Sequence, residues 1–198
     1  MLTLLLQKLF PKAMWRGNER ERCVFLTFDD GPVPETTPEV LKILDRYDVK
    51  ATFFCVGENV ERHPQLYSAI IEKGHCAGNH TYNHVRAFAV GYHDYMDNVR
   101  KAAQRMHTAL FRPPHGQLTR KLYRELQKEY NIVMWDVLTR DYDRSLTPQK
   151  VIENVKRYTR NGSIIVFHDS EKSAKNVLTA LPEAITYLKT KGYRFDTL

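Results

Sequence analysis

Two kinds of hydrophobic pattern alternate along the chain. Short apolar stretches, rich in β-branched and aromatic residues and bounded by Gly, Pro, Asp or Asn, predict buried strands. Between them lie longer stretches whose apolar residues recur at the spacing of a helix. This alternation predicts βα units built around a parallel sheet. The predicted strands are Cys23–Phe28, Ala51–Val56, His75–Asn79, Ala109–Arg112, Ile132–Val137, Ser163–Phe167 and Tyr193–Thr197.

Amphipathic helices are predicted between these strands. Val40, Leu41 and Leu44, for example, share one face of the first helix. Strands joined by helices in this way either close into a barrel or form an open doubly wound sheet, and the periodicity fits both. Both folds place an active site beyond the carboxyl ends of the strands. The predicted helices are Pro38–Tyr47, Val60–Lys73, Tyr95–His107, Arg120–Lys128, Pro148–Tyr158 and Val177–Thr190.

Composition narrows the class of protein. The 198 residues are 42% hydrophobic and 27% charged, which is typical of a single compact domain and excludes a disordered chain, collagen or a coiled coil. The formal charge of +7 is spread along the chain without a basic block, so no nucleic-acid partner is predicted. Three cysteines without CxxC spacing predict free thiols in a reducing compartment.

The beginning of the chain has a short amphipathic pattern. The apolar run from Leu2 to Leu6 is shorter than the roughly 20 residues of a membrane span or the roughly 7–15 of a signal peptide core. We therefore expect no transmembrane segment and no secretory signal, and a cytoplasmic location. We expect residues 1–19 to pack on a domain formed by residues 20–198. The oligomeric state is left open.

Acidic and imidazole side chains follow two of the predicted strands. Asp29 and Asp30 stand at the end of the first strand, and neighbouring strand residues point to opposite faces, so the two carboxylates can have different roles. An ordinary turn is the alternative, since Asp before Gly is common in turns. His80 and His84 follow the third strand. In a strand they would lie about 13 Å apart, whereas one helical turn brings them to roughly 6 Å.

One carboxylate and two imidazoles form the ligand set of a catalytic metal with open positions. Asp30, His80 and His84 are therefore candidate metal ligands. A non-haem Fe(II) oxygenase uses the same ligand types, but commonly on an antiparallel scaffold, which this chain does not predict.

Two further strand ends carry candidate catalytic groups. Arg112 begins a rigid Pro-Pro turn and can orient a nearby carboxylate; a surface arginine is the alternative. His168 ends a continuous apolar strand, which places it at the same rim as the metal ligands, where it is a candidate general acid. The alternative is a structural histidine whose hydrogen-bonding groups are satisfied within the core.

Four ordered motifs together resemble those of the polysaccharide deacetylase family, also called the NodB-homology domain or carbohydrate esterase family 4. They occupy residues 27–32 (TFDDGP), 80–84 (HTYNH), 112–116 (RPPHG) and 166–169 (VFHD). The resemblance extends over about residues 20–198. It implies an α/β fold, a distorted (β/α) barrel with about seven strands in a single domain.

The resemblance also implies roles for individual residues. Asp30, His80 and His84 match the family's ligands to a divalent metal ion, with zinc as the first candidate and cobalt, manganese or nickel as alternatives. Asp29 matches the general base and His168 the general acid.

Supporting residues are implied in the same way. Arg112 matches the arginine that positions the base, and Asp141 the carboxylate that holds the acid. The N–H in the Pro114-His115 turn matches part of the oxyanion hole. Two positions depart from the family pattern, because His115 replaces a tyrosine and Tyr142 a tryptophan. The implied oxyanion and substrate contacts are Pro114, His115, Gly116, Trp135, Tyr142 and Val166.

The activity implied by the resemblance is hydrolysis of an N-acetyl group on a sugar or glycan containing GlcNAc, with release of acetate. A bound divalent cation would supply a water of lowered pKa, about 7 instead of 15.7. The alternatives are an O-acetyl esterase acting on a polysaccharide such as acetylxylan, and a glycan-binding homologue without activity. The expected partner is an acetylated carbohydrate.

Overall fold

A computed structural model describes residues 7–198. Strands and helices alternate along it as the hydrophobic pattern predicts, although several boundaries differ. The elements are β1 Cys23–Asp29, α1 Thr37–Arg46, β2 Thr52–Cys55, α2 Gly57–Arg62, α3 Pro64–Glu72, β3 Cys76–Asn79, α4 Tyr92–Ala103, β4 Leu110–Phe111, a 3-10 turn Pro114–Gly116, α5 Arg120–Leu126, β5 Asn131–Ile132, β6 Val137–Leu138, α6 Pro148–Tyr158, β7 Ile164–His168, α7 Ala174–Thr190 and β8 Arg194–Phe195.

The strands form one curled sheet. Their spatial order is β5-β4-β3-β2-β1-β7-β6, and β8 pairs separately with the start of β1. All of these pairs are parallel. Seven parallel strands thus form a curled half-barrel with helices around it in a single domain, which confirms the predicted (β/α) barrel.

The central strand β1 shows why the hydrophobic residues of a predicted strand follow one another instead of alternating with polar residues. Six of the seven residues of β1 are buried, because helices and neighbouring strands cover both of its faces. The register pairs Asp29, at the carboxyl end of β1, with His168, at the end of β7. Two candidate catalytic residues are therefore neighbours at the same rim.

The predicted strand Ile132–Val137 is wrong, because the segment contains two short strands. β5 and β6 lie at opposite ends of the strand order, and residues 133–136 connect them. Within this connection Met134 donates its N–H to the carbonyl of Met14, and Asp136 donates to the carbonyl of Ile164. The apolar pattern is continuous, but the hydrogen-bond partners of the segment change along it.

The predicted helix Val60–Lys73 is also two elements. α2 ends at Arg62 and α3 begins at Pro64, with His63 between them at φ −132° and ψ 57°. The ring of a proline disfavours helical backbone in the residue before it, so the break falls at His63.

The start of the described chain contacts the barrel. Phe10 and Ala13 are buried, and the N–H of Met14 donates to the carbonyl of Ile132 at 2.8 Å. Residues 1–6 lie outside the described residues, so packing of the complete segment 1–19 stays a prediction. No helix in residues 7–198 is both long enough and apolar enough to cross a bilayer.

His75 is a buried histidine away from the candidate site, and it predicts acid sensitivity. Its Nδ1 accepts the N–H of Ala51, and its buried Nε2 has no partner within residues 7–198. Burial, with a smaller effect from the charge of Lys50, lowers the pKa of His75 to about 4. The unfolded chain therefore binds the proton more tightly than the folded chain between about pH 6.5 and 4.

We expect this histidine to contribute about 3 kcal/mol to the free energy of unfolding above pH 6.5, and this contribution to disappear as the pH falls to 4. Urea denaturation with chelator present, compared between the wild type and His75→Asn, measures it. The two stabilities should diverge as the pH rises from 4 to 6.5. Parallel pH dependences would contradict the prediction.

Candidate active site

Three metal-ligating side chains meet at the rim. Nε2 of His84 lies 3.1 Å from Oδ1 of Asp30, and Nε2 of His80 lies 3.6 Å from the same oxygen. One ligand atom from each residue falls within 4.8 Å of the others. Asp30 follows β1 and His80 follows β3, so the parallel sheet brings them to one edge.

The segment between the two histidines is an irregular loop rather than the expected helical turn. Thr81 and His84 have positive φ values of 65° and 57°. The N–H of Thr81 donates to the side chain of Asn79, and that of Tyr82 donates to the side chain of Asn98, both at 2.8 Å. These amide oxygens replace the carbonyl acceptors of a helix and still bring the imidazole ring centroids to 5.1 Å.

The electrostatics of this cluster suit a cation. Nδ1 of His80 lies 2.7 Å from the carbonyl oxygen of Arg112, to which it donates, so Nε2 is the ring nitrogen that faces Asp30. Burial raises the pKa of Asp30, but hydrogen bonds from His80 and His84 outweigh it and hold the pKa well below its usual range. An ionised carboxylate and two imidazole nitrogens fit zinc and similar divalent ions.

Asp29 is fixed by a buried arginine. Nη1 of Arg112 donates to Oδ1 of Asp29 and to the hydroxyl of Thr27, both at 2.7 Å. Nη2 donates to the carbonyl of Met134 at 2.9 Å, and the guanidinium lies 4.0 Å from the ring centre of Phe54. Arg112 is fully buried. Because a planar guanidinium donates in fixed directions, it orients Asp29 while leaving the other carboxylate oxygen free.

His168 is held by a second buried carboxylate. Its Nδ1 lies 2.7 Å from Oδ1 of Asp141, and its backbone N–H donates to Oδ2 at 2.8 Å. Burial alone would lower the pKa of His168, but the charge of Asp141, with smaller effects from Asp30 and Asp29, raises it to about 9. The imidazole is therefore protonated at neutral pH and can donate a proton.

A cleft of about 490 Å³ opens over these groups. Four of the expected substrate contacts line it, whereas Pro114 and Gly116 are buried beside it. A Cβ on Gly116 would lie 2.6 Å from the indole of Trp135, so only glycine allows this close packing. The lining residues are Asp29, Asp30, His80, His84, Arg86, Pro113, His115, Trp135, Leu138, Tyr142, Val166, His168 and Lys172.

His115 occupies the position of the expected oxyanion-hole donor. Its φ of 59° turns the backbone sharply, and no hydrogen bond within residues 7–198 uses its N–H. Its ring Nε2 accepts from Nε of Arg86 at 3.2 Å. Desolvation, with the nearby charges of His84 and Arg86, lowers the pKa of His115 to about 4. The side chain is therefore neutral, and the N–H is free to bind a substrate oxygen.

Asp169 is a site residue that the sequence analysis did not select. It is buried, its Oδ1 accepts the N–H of Gly31 at 3.1 Å, and its Oδ2 accepts the hydroxyl of Thr37 at 2.7 Å. It thereby holds the backbone immediately after Asp30. Burial raises the pKa of Asp169 to about 7, although the hydrogen bond from Thr37 acts in the opposite direction and lowers it. Its position immediately after His168, at the carboxyl end of β7, was the available signal.

We expect Gly31→Ala to destabilise the fold. A Cβ at Gly31 would lie 2.0 Å from a carboxylate oxygen of Asp169, which its hydrogen bonds hold in place. Overpacking of this kind costs typically about 1–3 kcal/mol. Urea denaturation measures the loss. Gly91→Ala is the matched control, since its nearest atom would be a flexible Asp94 oxygen at 3.2 Å. Equal stability of the two variants would contradict the expectation.

Comparison with known proteins finds deacetylases of polysaccharides both among family models and among individual relatives. A family model described as polysaccharide deacetylase matches residues 16–135. A peptidoglycan-N-acetylglucosamine deacetylase from Bacillus cereus is 36% identical over 183 residues, which are 88% of this chain and 66% of that protein.

Solved structures agree with this match. The Bc1960 peptidoglycan N-acetylglucosamine deacetylase superimposes with a TM-score of 0.90 at 33% identity, covering 94% of this chain and 91% of that one. BA3943 from Bacillus anthracis, described as a CE4 family pseudoenzyme, has a TM-score of 0.85 at 27% identity, covering 95% and 68%. The fold is therefore shared by active and inactive proteins, and side chains must carry the argument for activity. The chain belongs to the polysaccharide deacetylase family.

Proposed function

We propose that this chain is a metal-dependent hydrolase that removes N-acetyl groups from a GlcNAc-containing sugar or glycan and releases acetate. One observation carries the proposal. The ligand cluster Asp30, His80 and His84 faces the same cleft as the arginine-held Asp29 and the aspartate-held His168. A base, an acid and a cation site within one cleft are the groups that metal-dependent amide hydrolysis uses.

Asp30, His80 and His84 would hold the cation. When bound, a divalent cation of this kind polarises an acyl oxygen and lowers the pKa of water, and zinc fits the ligands, as do cobalt, manganese and nickel.

The protein's own groups divide the remaining work. Asp29 accepts a proton from the attacking water through the carboxylate oxygen that Arg112 leaves free. The N–H of His115 donates to the oxygen that gains negative charge as the carbonyl carbon becomes tetrahedral. His168 then transfers its Nε2 proton to the leaving nitrogen, and Asp141 stabilises the charged imidazole before that transfer. The products are acetate and a free amine.

Walls of the cleft support a sugar substrate. Trp135 and Tyr142 line it and offer aromatic faces, and the Tyr142 ring lies 4.9 Å from that of His168, at an interplanar angle of 80°. Leu138 and Val166 add apolar surface between polar groups. Mixed surfaces of this kind fit a pyranose ring, which has apolar faces and hydroxyl edges. The named activities of the B. cereus relative and of Bc1960 support a peptidoglycan glycan among the candidate substrates.

An acetate-release screen tests the proposal. Metal-loaded protein is incubated with chitooligosaccharides, peptidoglycan fragments and acetylxylan, and both acetate and new free amine are measured. We expect equal amounts of acetate and amine, loss of activity with a chelator, and recovery with added zinc. Acetate without amine would instead indicate an O-acetyl esterase. Stoichiometric metal binding without turnover on any substrate would indicate a glycan-binding homologue.

A further inference from the structure

Two of the three candidate metal ligands have an unfavourable backbone conformation. Asp30 has a φ of 80° and His84 a φ of 57°, and Thr81, in the loop between the two histidine ligands, has a φ of 65°. Residues other than glycine rarely adopt this left-handed region, because their Cβ crowds the following carbonyl oxygen. Such a conformation persists only where surrounding contacts hold it. The contacts that hold these backbones therefore decide where the ligand atoms lie.

Helix α2 holds the backbone of Asp30. Asn59, in this helix, donates from its side-chain Nδ2 to the carbonyl oxygen of Asp30 at 2.8 Å. The next carbonyl along the chain, that of Gly31, accepts the backbone N–H of Val56 at 2.9 Å, immediately before the helix. Asn59 thus fixes the peptide group that directly follows the α-carbon of this ligand.

Helix α4 holds the loop that carries His84. Oδ1 of Asn98, in this helix, accepts the N–H of Tyr82 at 2.8 Å and the N–H of Asn83 at 3.2 Å, and its Nδ2 donates to the side-chain oxygen of Asn83 at 2.9 Å. The carbonyl of Tyr82 accepts the N–H of Glu58, from α2, at 2.8 Å. One side-chain oxygen therefore binds the N–H groups of both residues that immediately precede His84.

We propose that Asn59 and Asn98 are positioning residues of the metal centre, which hold Asp30 and His84 in place and thereby set the affinity for the cation. Neither asparagine belongs to the four sequence motifs. Both act through the backbone of the ligand loops. Without them the loops can relax toward ordinary backbone conformations, and metal binding then has to restore the strained form. The inference rests on the metal site of the proposed function and adds the residues that set the strength of that site.

The two asparagines use different halves of their amide groups. Asn59 contributes its N–H donor, whereas Asn98 contributes mainly its oxygen acceptor. Replacing Asn with Asp keeps the shape and the oxygen but removes the donor. The same substitution should therefore break the contact at Asn59 and preserve the two backbone contacts at Asn98. The bond from Asn98 to Asn83 changes too, but Asn83 is exposed, and its amide can turn and donate instead.

Zinc titration against a competing chelator tests the proposal, because it measures the dissociation constant of the folded protein independently of turnover. We expect Asn59→Asp and Asn98→Leu each to weaken zinc binding about 10–100-fold, the usual effect of removing a group that orients metal ligands. Asn98→Asp keeps the acceptor and should bind zinc within a few-fold of the wild type. A negative charge added at either position attracts the cation, so charge cannot explain weaker binding in Asn59→Asp.

Asn154→Asp is the matched control. Asn154 is also a half-buried asparagine in a helix, α6, and it donates from Nδ2 to the carbonyl of Thr139 at 3.0 Å, outside both ligand loops. The substitution removes the same donor and adds the same charge, so zinc affinity should stay within a few-fold of the wild type. Urea denaturation of every variant with chelator present measures any general loss of stability.

The outcomes separate this proposal from the metal site on which it rests. If the wild type does not bind zinc, the zinc site and this proposal are both wrong. If the wild type binds zinc and Asn59→Asp and Asn98→Leu bind it equally tightly, the metal site stands and the positioning roles are wrong, even where the variants lose stability. Equal weakening in Asn98→Asp and Asn98→Leu, or in the control Asn154→Asp, would also overturn the proposal.

Discussion

Replacing Asp29 with Asn should lower turnover by about 10²–10⁴-fold while leaving metal binding near normal. This range is the usual contribution of a positioned acid or base, and an amide cannot accept the proton of the attacking water. Arg112 still has an oxygen acceptor in the Asn side chain, so the fold should survive. Acetate-release rates and metal analysis of the purified variant measure the two effects. Added metal should not restore activity.

Asp30→Asn is the matched control, because it changes the adjacent carboxylate in the same way. Here the charged ligand oxygen beside His80 and His84 is lost, so bound metal should fall and activity should partly return at high metal concentration. The interchanged pattern would exchange the roles of the two aspartates. Full activity in both variants would contradict the deacetylase proposal.

His168→Ala should also lower turnover by about 10²–10⁴-fold with metal binding retained, since a general acid is used only as the leaving group departs. Loss of the metal in this variant would make His168 a ligand or a structural residue instead. A loss of stability with little kinetic defect would indicate a histidine that only completes the core.

The pH dependence of turnover gives a sharper test of the same residue. His168 acts in its protonated form, which is present below its pKa of about 9, so turnover should decline as the pH rises through that value. In Asp141→Asn the main charge that raises this pKa is gone, and the alkaline limb should move to lower pH by at least about one unit. Rate profiles at saturating substrate measure the shift.

Asp143→Asn is the control for the pH profile. Asp143 lies two residues from Asp141 but pairs with Arg140 at 2.8 Å, away from the imidazole. Its removal should leave the alkaline limb unchanged. Identical profiles for the wild type and Asp141→Asn would show that another group sets the limb.

Much of the fold was predictable from local pattern. The α6 boundaries, Pro148–Tyr158, agree with the sequence prediction, because Thr147 caps the helix, proline begins it and its apolar residues keep a helical period. The order of strand ends also placed Asp30, His80 and His168 at one rim, since parallel strands in βα units all end on the same side. The break at Pro64 was missed by the predicted helix Val60–Lys73, although the restriction that a proline imposes on the residue before it was the available signal.

Tertiary structure decided the rest. Whether residues 132–137 form one strand or two depends on partners such as Met14, more than a hundred positions earlier in the chain. The loop between His80 and His84 depends on the Asn98 side chain, supplied by α4. The environment of Asp169 likewise depends on an element distant in sequence, since its hydrogen-bond partner Thr37 begins α1. Hydrophobic periodicity reports which residues are buried, but hydrogen-bond partners and clustered charges are fixed only when separate elements pack together.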